Sequence, residues 1–92
     1  MKMIDVTNSH YDLVSKQLAC SDANIVKVYT LGPTTVFYSV APTHQNIVLI
    51  NKNRDIRAKE IDFAIQRLFK QSDRRNLEIL DGPNFVEIEL VL

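Results

Sequence analysis

Serine, histidine, tyrosine and aspartate stand together in Asn8-Ser9-His10-Tyr11-Asp12. Hydrolases assemble a nucleophile, a base and an orienting acid from side chains of these types. Such chemistry needs a hydrogen-bonded chain in space, whereas adjacent residues on a helix point in different directions. No G-x-S-x-G elbow accompanies the cluster. Helix capping accounts for the same residues: with Ser9 as N-cap, Asp12 falls at the third helical position. The N–H groups of that helix start offer a small anion a site at most. His44, in Ala41-Pro42-Thr43-His44, is expected in a loop after a strand, and its pKa range suits acid–base work. A surface or turn-stabilising histidine is the plainer reading. Cys20, near a helix end, reads as a small buried apolar side chain. His10, Cys20 and His44 have no metal-ligand spacing, so no metal is expected. Without a Walker loop, a dinucleotide fingerprint or a C-x-x-C, no cofactor is expected either. An enzyme or small-molecule binder working through His10 or His44 is therefore the last of three readings.

A second group of residues suits binding. Lys59, Phe63, Arg67 and Lys70 share the outer side of an expected helix, with Phe63 about 190° from the centre of its apolar stripe. An aromatic ring among cations can stack a base or anchor a protein partner. Lys52, Arg54, Arg74 and Arg75 would then contact phosphate, giving an RNA- or DNA-binding module as the alternative function. The plainer reading is a solvated basic face, with Phe63 packed under a loop or the chain end. Eleven basic and eleven acidic residues cancel, which disfavours wholesale adhesion to polyanions or membranes. The neutral total hides a division. Residues 51–75 hold eight basic and four acidic side chains, net +4, and residues 76–92 hold four acidic and no basic ones, net −4. Such a division attracts within one molecule or between two.

These residues must be positioned by local structure that patterning predicts. Residues 2–6 read as a short strand. A helix is expected from Asn8 or Ser9 to about 20–22, with Tyr11, Val14 and Leu18 on one face. Strands follow at 24–31, 34–41 and 45–51, separated by Gly32-Pro33 and Pro42-Thr43-His44. The spacing fits a meander. The clearest element is a helix over 56–70, where Ile61, Ala64, Ile65, Leu68 and Phe69 match the amphipathic template. Asn53 or Asp55 can cap its start. Strands at 77–80 and 85–92 flank Asp81-Gly82-Pro83-Asn84 as a closing hairpin. In the last strand Val86, Ile88 and Leu90 alternate with Glu87 and Glu89.

The expected order is β-α-β-β-β-α-β-β in one domain spanning residues 1–92. Two helices of this length cover one face of six strands, so the expected fold is a two-layer α+β sandwich. Both helices would pack on one face of a mainly antiparallel sheet, with one parallel pair in the first β-α-β unit. The covered face would carry Ile4, Val6, Val28, Val36, Tyr38, Val86, Ile88 and Leu90. The other face would expose Ile25, Tyr29, Phe37 and Phe85. If contiguous, they form a partner surface; if scattered, they are ordinary exposed apolar residues.

The 92 residues are 46% hydrophobic and 24% charged, as in a small globular domain. A single cysteine excludes an internal disulfide, and the opening residues lack the apolar stretch of a signal peptide. The longest uninterrupted aliphatic run is Ile47-Val48-Leu49-Ile50, far short of a membrane span. A cytoplasmic protein is expected. Three segments, Ile4-Asp5-Val6-Thr7-Asn8-Ser9-His10, Ala41-Pro42-Thr43-His44, and 57–67 with its Glu60-Ile61-Asp62-Phe63 core, resemble a family of short uncharacterised proteins from lactic-acid bacteria and relatives. The resemblance implies a bacterial cytoplasmic setting and carries no catalytic or binding residue with it. The leading expectation is a non-enzymatic interaction domain. It would bind a protein partner or a second copy (a homodimer) through the outer sheet face or the acidic hairpin.

Overall fold

The computed structural model describes residues 2–6, 24–70 and 76–91, with side chains from residue 27 onward in the second of these stretches. Six strands form one sheet: β1 (Met3–Asp5), β2 (Asn24–Leu31), β3 (Thr34–Val40), β4 (His44–Ile50), β5 (Leu77–Gly82) and β6 (Phe85–Val91). Helix α1 (Ala58–Leu68) lies between β4 and β5 in the chain. The sheet order is β1-β2-β3-β4-β6-β5 and every pairing is antiparallel. Strands β2, β3 and β4 are a meander, each joined to the next by a short turn, and β1 pairs along the outer side of β2. After α1 the chain returns to the far edge as β5, and β6 then fills the place between β4 and β5.

Two tight turns set the register of the hairpins. Gly32 has φ 61°, the positive value that a two-residue hairpin loop with glycine first requires, and Leu31 pairs with Thr34. In the β5–β6 turn Pro83 precedes Asn84, which takes φ 67°, a conformation asparagine tolerates better than most residues. The backbone N–H of Asn84 donates to Asp55 Oδ1 at 3.1 Å, and its carbonyl accepts from Asn51 N at 2.9 Å. The hairpin is thereby tied to the chain that leads into α1.

The core lies between α1 and the sheet. Leu31, Val36, Ile47, Leu49, Val86, Ile88 and Leu90 are buried there with Ala64 and Phe69, and Ile61, Phe63, Ile65 and Leu68 of the helix pack against them. Full burial of each large aliphatic side chain is worth about 1.5–3 kcal/mol. The opposite face has its own smaller cluster: Val28 and Phe37 are buried, with Val6, Val48 and Ile50 against them.

The expected two-layer sandwich with two helices on one face is corrected by this arrangement. The described residues hold one helix and six antiparallel strands, a mostly β fold. The helix expected from Asn8 or Ser9 to 20–22 lies outside the described residues. The parallel first pair is also corrected, because β1 runs antiparallel to β2, with Met3 opposite Leu31 and Asp5 opposite Tyr29. Residue facing is the third correction. The Gly32-Pro33 turn pairs even-numbered residues with odd ones, so Val28 lies opposite Phe37 and Tyr29 opposite Val36. Val28 and Val6 therefore belong to the face away from α1, and Tyr29 to the face beneath it. A register shift between Ile25 and Lys27 further breaks simple alternation along β2.

Candidate functional site

The residues nominated by the sequence fall in separate places. Of the four expected on an exposed sheet face, Tyr29 packs on the α1 side and Phe37 is only 4% exposed. Phe85 is half-buried, and its ring lies over Gly82. The side chain of Ile25 is not among those described. Phe37 and Phe85 share a face, separated by Val48 and Ile50 of β4. Among the described residues, the large apolar side chains that stand open lie instead at the rim of the sheet: Ile4 on β1, Ile79 and Leu80 on β5, and Val91 at the end of β6.

On α1 and just beyond it, Lys59, Arg67 and Lys70 are exposed as expected. Phe63 is half-buried and packs against the core cluster, and the Arg67 guanidinium carbon stands 5.3 Å from its ring centroid. That cation–π contact occupies the ring. His44 is the first residue of β4 rather than part of a loop, with Thr43 Oγ1 3.1 Å from its Nδ1. Ser9, His10, Asp12 and Cys20 lie outside the described residues. Among the described residues no group of three or more His, Cys, Asp or Glu side chains is placed to hold a metal ion.

The most organised polar cluster centres on a residue not singled out by the sequence. Glu60 lies in the first turn of α1 and is 1% exposed. It sits one turn before Ala64, on the buried stripe of the helix. Its Oε1 accepts from Arg54 Nη1 at 2.7 Å and from the Arg57 N–H at 3.1 Å. Its Oε2 accepts from Thr34 Oγ1 at 2.5 Å and Arg54 Nη2 at 3.2 Å. Thr34 in turn accepts from Asn51 Nδ2, and Asn51 Oδ1 accepts from the Asn53 N–H. Burial alone pushes the Glu60 carboxyl up. Hydrogen bonds from Arg54, Thr34 and the Arg57 backbone, with the guanidinium charge, outweigh that and hold it at about 2. The hydrogen bond to Glu60 raises the Arg54 pKa in return. Neither Asn53 nor Asp55 caps the helix. Arg57 is the N-cap residue, and the Glu60 side chain satisfies its N–H from inside the first turn. The available signal was the charged residue at a dry position of the helical stripe.

The second site is the β5 edge. Among the described strands β5 pairs only with β6, so one row of its backbone groups has no strand beside it. Ile79 is 54% exposed and Leu80 is 59% exposed. Glu78 and Asp81 flank them, Glu78 lies opposite Glu89, and Leu80 opposite Glu87. A cleft of about 300 Å³ is lined by Glu78, Ile79, Leu80, Glu87 and Glu89. No helix among the described residues is long and apolar enough to cross a membrane.

Comparison with known proteins gives a family and a fold neighbour. The family model described as a domain of unknown function (DUF1827) matches residues 1–91. A crystal structure of a conserved protein of unknown function from Streptococcus thermophilus LMG 18311 is 29% identical, with a TM-score of 0.80 over 99% of this chain and 96% of that one. That neighbour comes from a lactic-acid bacterium, in keeping with the resemblance carried by the sequence. No curated protein matches the chain.

Proposed function

The chain belongs to the DUF1827 family, and we propose that it is a non-enzymatic interaction domain that takes a basic, extended segment of a partner protein along the edge of β5. The observation that carries this reading is the pairing, on one sheet edge, of two large exposed aliphatic side chains with four carboxylates. An extended segment adds to such an edge through backbone hydrogen bonds, while side-chain pockets supply selectivity. Ile79 and Leu80 are consecutive, so they point to opposite faces, and an added strand covers both. Glu78, Asp81, Glu87 and Glu89 surround that pair with no basic residue between 76 and 92. A second copy is a poor occupant. It would bring the same four carboxylates, Glu78, Asp81, Glu87 and Glu89, to the seam from both sides, and like charges gathered there destabilise the pair. Lysine or arginine in the partner relieves the same repulsion. With one cysteine in the chain, the reducing bacterial cytoplasm is the setting that suits this work.

Amide shifts of the labelled protein, followed while an octapeptide of alternating valine and lysine is added, test the reading. The expected result is perturbation concentrated at 77–82, absent when glutamate replaces lysine in the peptide. Leu80→Lys should abolish it without unfolding the domain, since the side chain is exposed. Perturbation mapping elsewhere, or equal response to both peptides, refutes the reading. So does a dimer of the protein alone that Leu80→Lys disperses, which would assign the edge to self-association.

A further inference from the structure

Two open clefts adjoin where α1 meets the β1–β2 side of the sheet, and Lys2 lines both. The first, about 330 Å³, is walled by Leu31, the Gly32-Pro33 turn, Arg54, Lys59 and Glu60. The second, about 340 Å³, is walled by Met3, Tyr29, Arg67 and Leu68. Sizes of this order are those of small-ligand sites. Four cations, Lys2, Arg54, Lys59 and Arg67, thus line the pair of clefts against one carboxylate. That carboxylate, Glu60, is already engaged by Arg54, Thr34 and the Arg57 N–H. Among the described residues Lys2, Lys59 and Arg67 have no carboxylate within ion-pair distance.

Arg54 is the organised member. It spends three donor contacts on Glu60 and the Asp55 carbonyl. A guanidinium carries five N–H groups, so two remain for an incoming oxygen. Glu60 fixes the guanidinium plane, which lowers the ordering cost of accepting a ligand there. The first turn of α1 adds its positive end at the same cleft, where Lys59 and Glu60 stand. In the second cleft Met3, Tyr29 and Leu68 present apolar surface beside the Arg67 guanidinium. A planar ring suits that surface.

We propose that these adjoining clefts bind a nucleoside monophosphate, its phosphoryl group held by Lys2, Arg54 and Lys59 and its base laid along Met3, Tyr29 and Leu68. The site is separate from the β5 edge, so the two readings stand or fall independently.

Calorimetric titration of the whole chain with AMP, inorganic phosphate and adenosine, at low and raised salt, tests the proposal. AMP should bind most tightly and inorganic phosphate at least tenfold more weakly. Adenosine should bind weakly or not at all, and AMP affinity should fall as salt rises. Lys2→Gln and Lys59→Gln should each weaken AMP binding about tenfold, the loss expected for one charge-assisted contact. Lys70→Gln removes the same charge just beyond α1 and lines neither cleft, so it should leave binding unchanged; circular dichroism confirms that all three variants fold. No heat with AMP at millimolar concentration overturns the proposal, as does adenosine binding equal to AMP. A loss in Lys70→Gln equal to that in Lys59→Gln overturns it too, since attraction would then be a general property of the basic surface. Binding of a single-stranded oligonucleotide without AMP would assign the cations to nucleic acid instead.

Discussion

Replacing Glu60 by glutamine tests whether one buried carboxylate organises the passage from β4 into α1. The wild-type side chain receives four hydrogen bonds, two from Arg54 and one each from Thr34 and the Arg57 N–H. Glutamine preserves the volume, removes the charge and turns an NH2 group toward those donors. A carboxyl held at about 2 instead of 4.5 has a linkage ceiling of about 3 kcal/mol. Solvent reaches the partner, since the Arg54 side chain is 28% exposed, so the net loss is about 1–2 kcal/mol. In a domain of this size that lowers the melting temperature by about 4–16 °C. The pH dependence carries the sharper signature. The folded-state pKa lies below the unfolded one, so the fold favours the ionised form. Its contribution is complete above about pH 4.5 and is lost as pH falls through about 2. Thermal melts of wild type and Glu60→Gln, taken from neutral pH downward, should show a constant gap that narrows only inside that window. A gap unchanged into the acid range, or a variant as stable as wild type at neutral pH, refutes the reasoning.

Three further outcomes follow from the sheet. Gly82→Ala should cost about 1–3 kcal/mol in denaturant unfolding, because the new Cβ would clash with one edge of the Phe85 ring. Most of that loss should disappear in the Phe85→Ala background; full additivity would show that the ring is not the obstacle. Asn84→Gly should be close to neutral and Asn84→Ala should destabilise by about 1 kcal/mol, since φ is 67° there. Equal effects of the two would contradict the turn geometry. Ile79 and Ile88 are cross-strand partners, yet one is 54% exposed and the other fully buried. Ile88→Ala should therefore cost about 2–5 kcal/mol in the same unfolding assay, and Ile79→Ala under about 1 kcal/mol.

Much of the local structure was legible. The alternation of Val86, Ile88 and Leu90 with Glu87 and Glu89 predicted β6; its dry row is buried as expected, and the two glutamates are half-buried rather than open. The stripe from Ile61 to Phe69 predicted α1, which is two residues shorter at each end. Gly32-Pro33 and Pro83-Asn84 marked the turns at which the chain reverses. The candidate sites were far less legible. Phe37 was expected to be open and is buried, and the exposed aliphatic residues lie on β5. Burial on a sheet depends on which strands flank a residue and what packs over it, and neither is a local property. Glu60 looked like one more surface charge, because its partner Thr34 is 26 residues away.

Side-chain period, turn propensity and the separation of charge between residues 51–75 and 76–92 are properties of neighbouring residues, so the chain carries them in its order. Local sterics and backbone preferences were enough to fix where the strands and α1 form. The insertion of β6 between β4 and β5, the resulting exposure of the β5 edge, and the meeting of Arg54, Thr34 and Glu60 arise when distant segments bury one another. Those outcomes depend on how the elements jointly remove apolar surface from water and satisfy their hydrogen bonds, a competition that no short window of sequence contains.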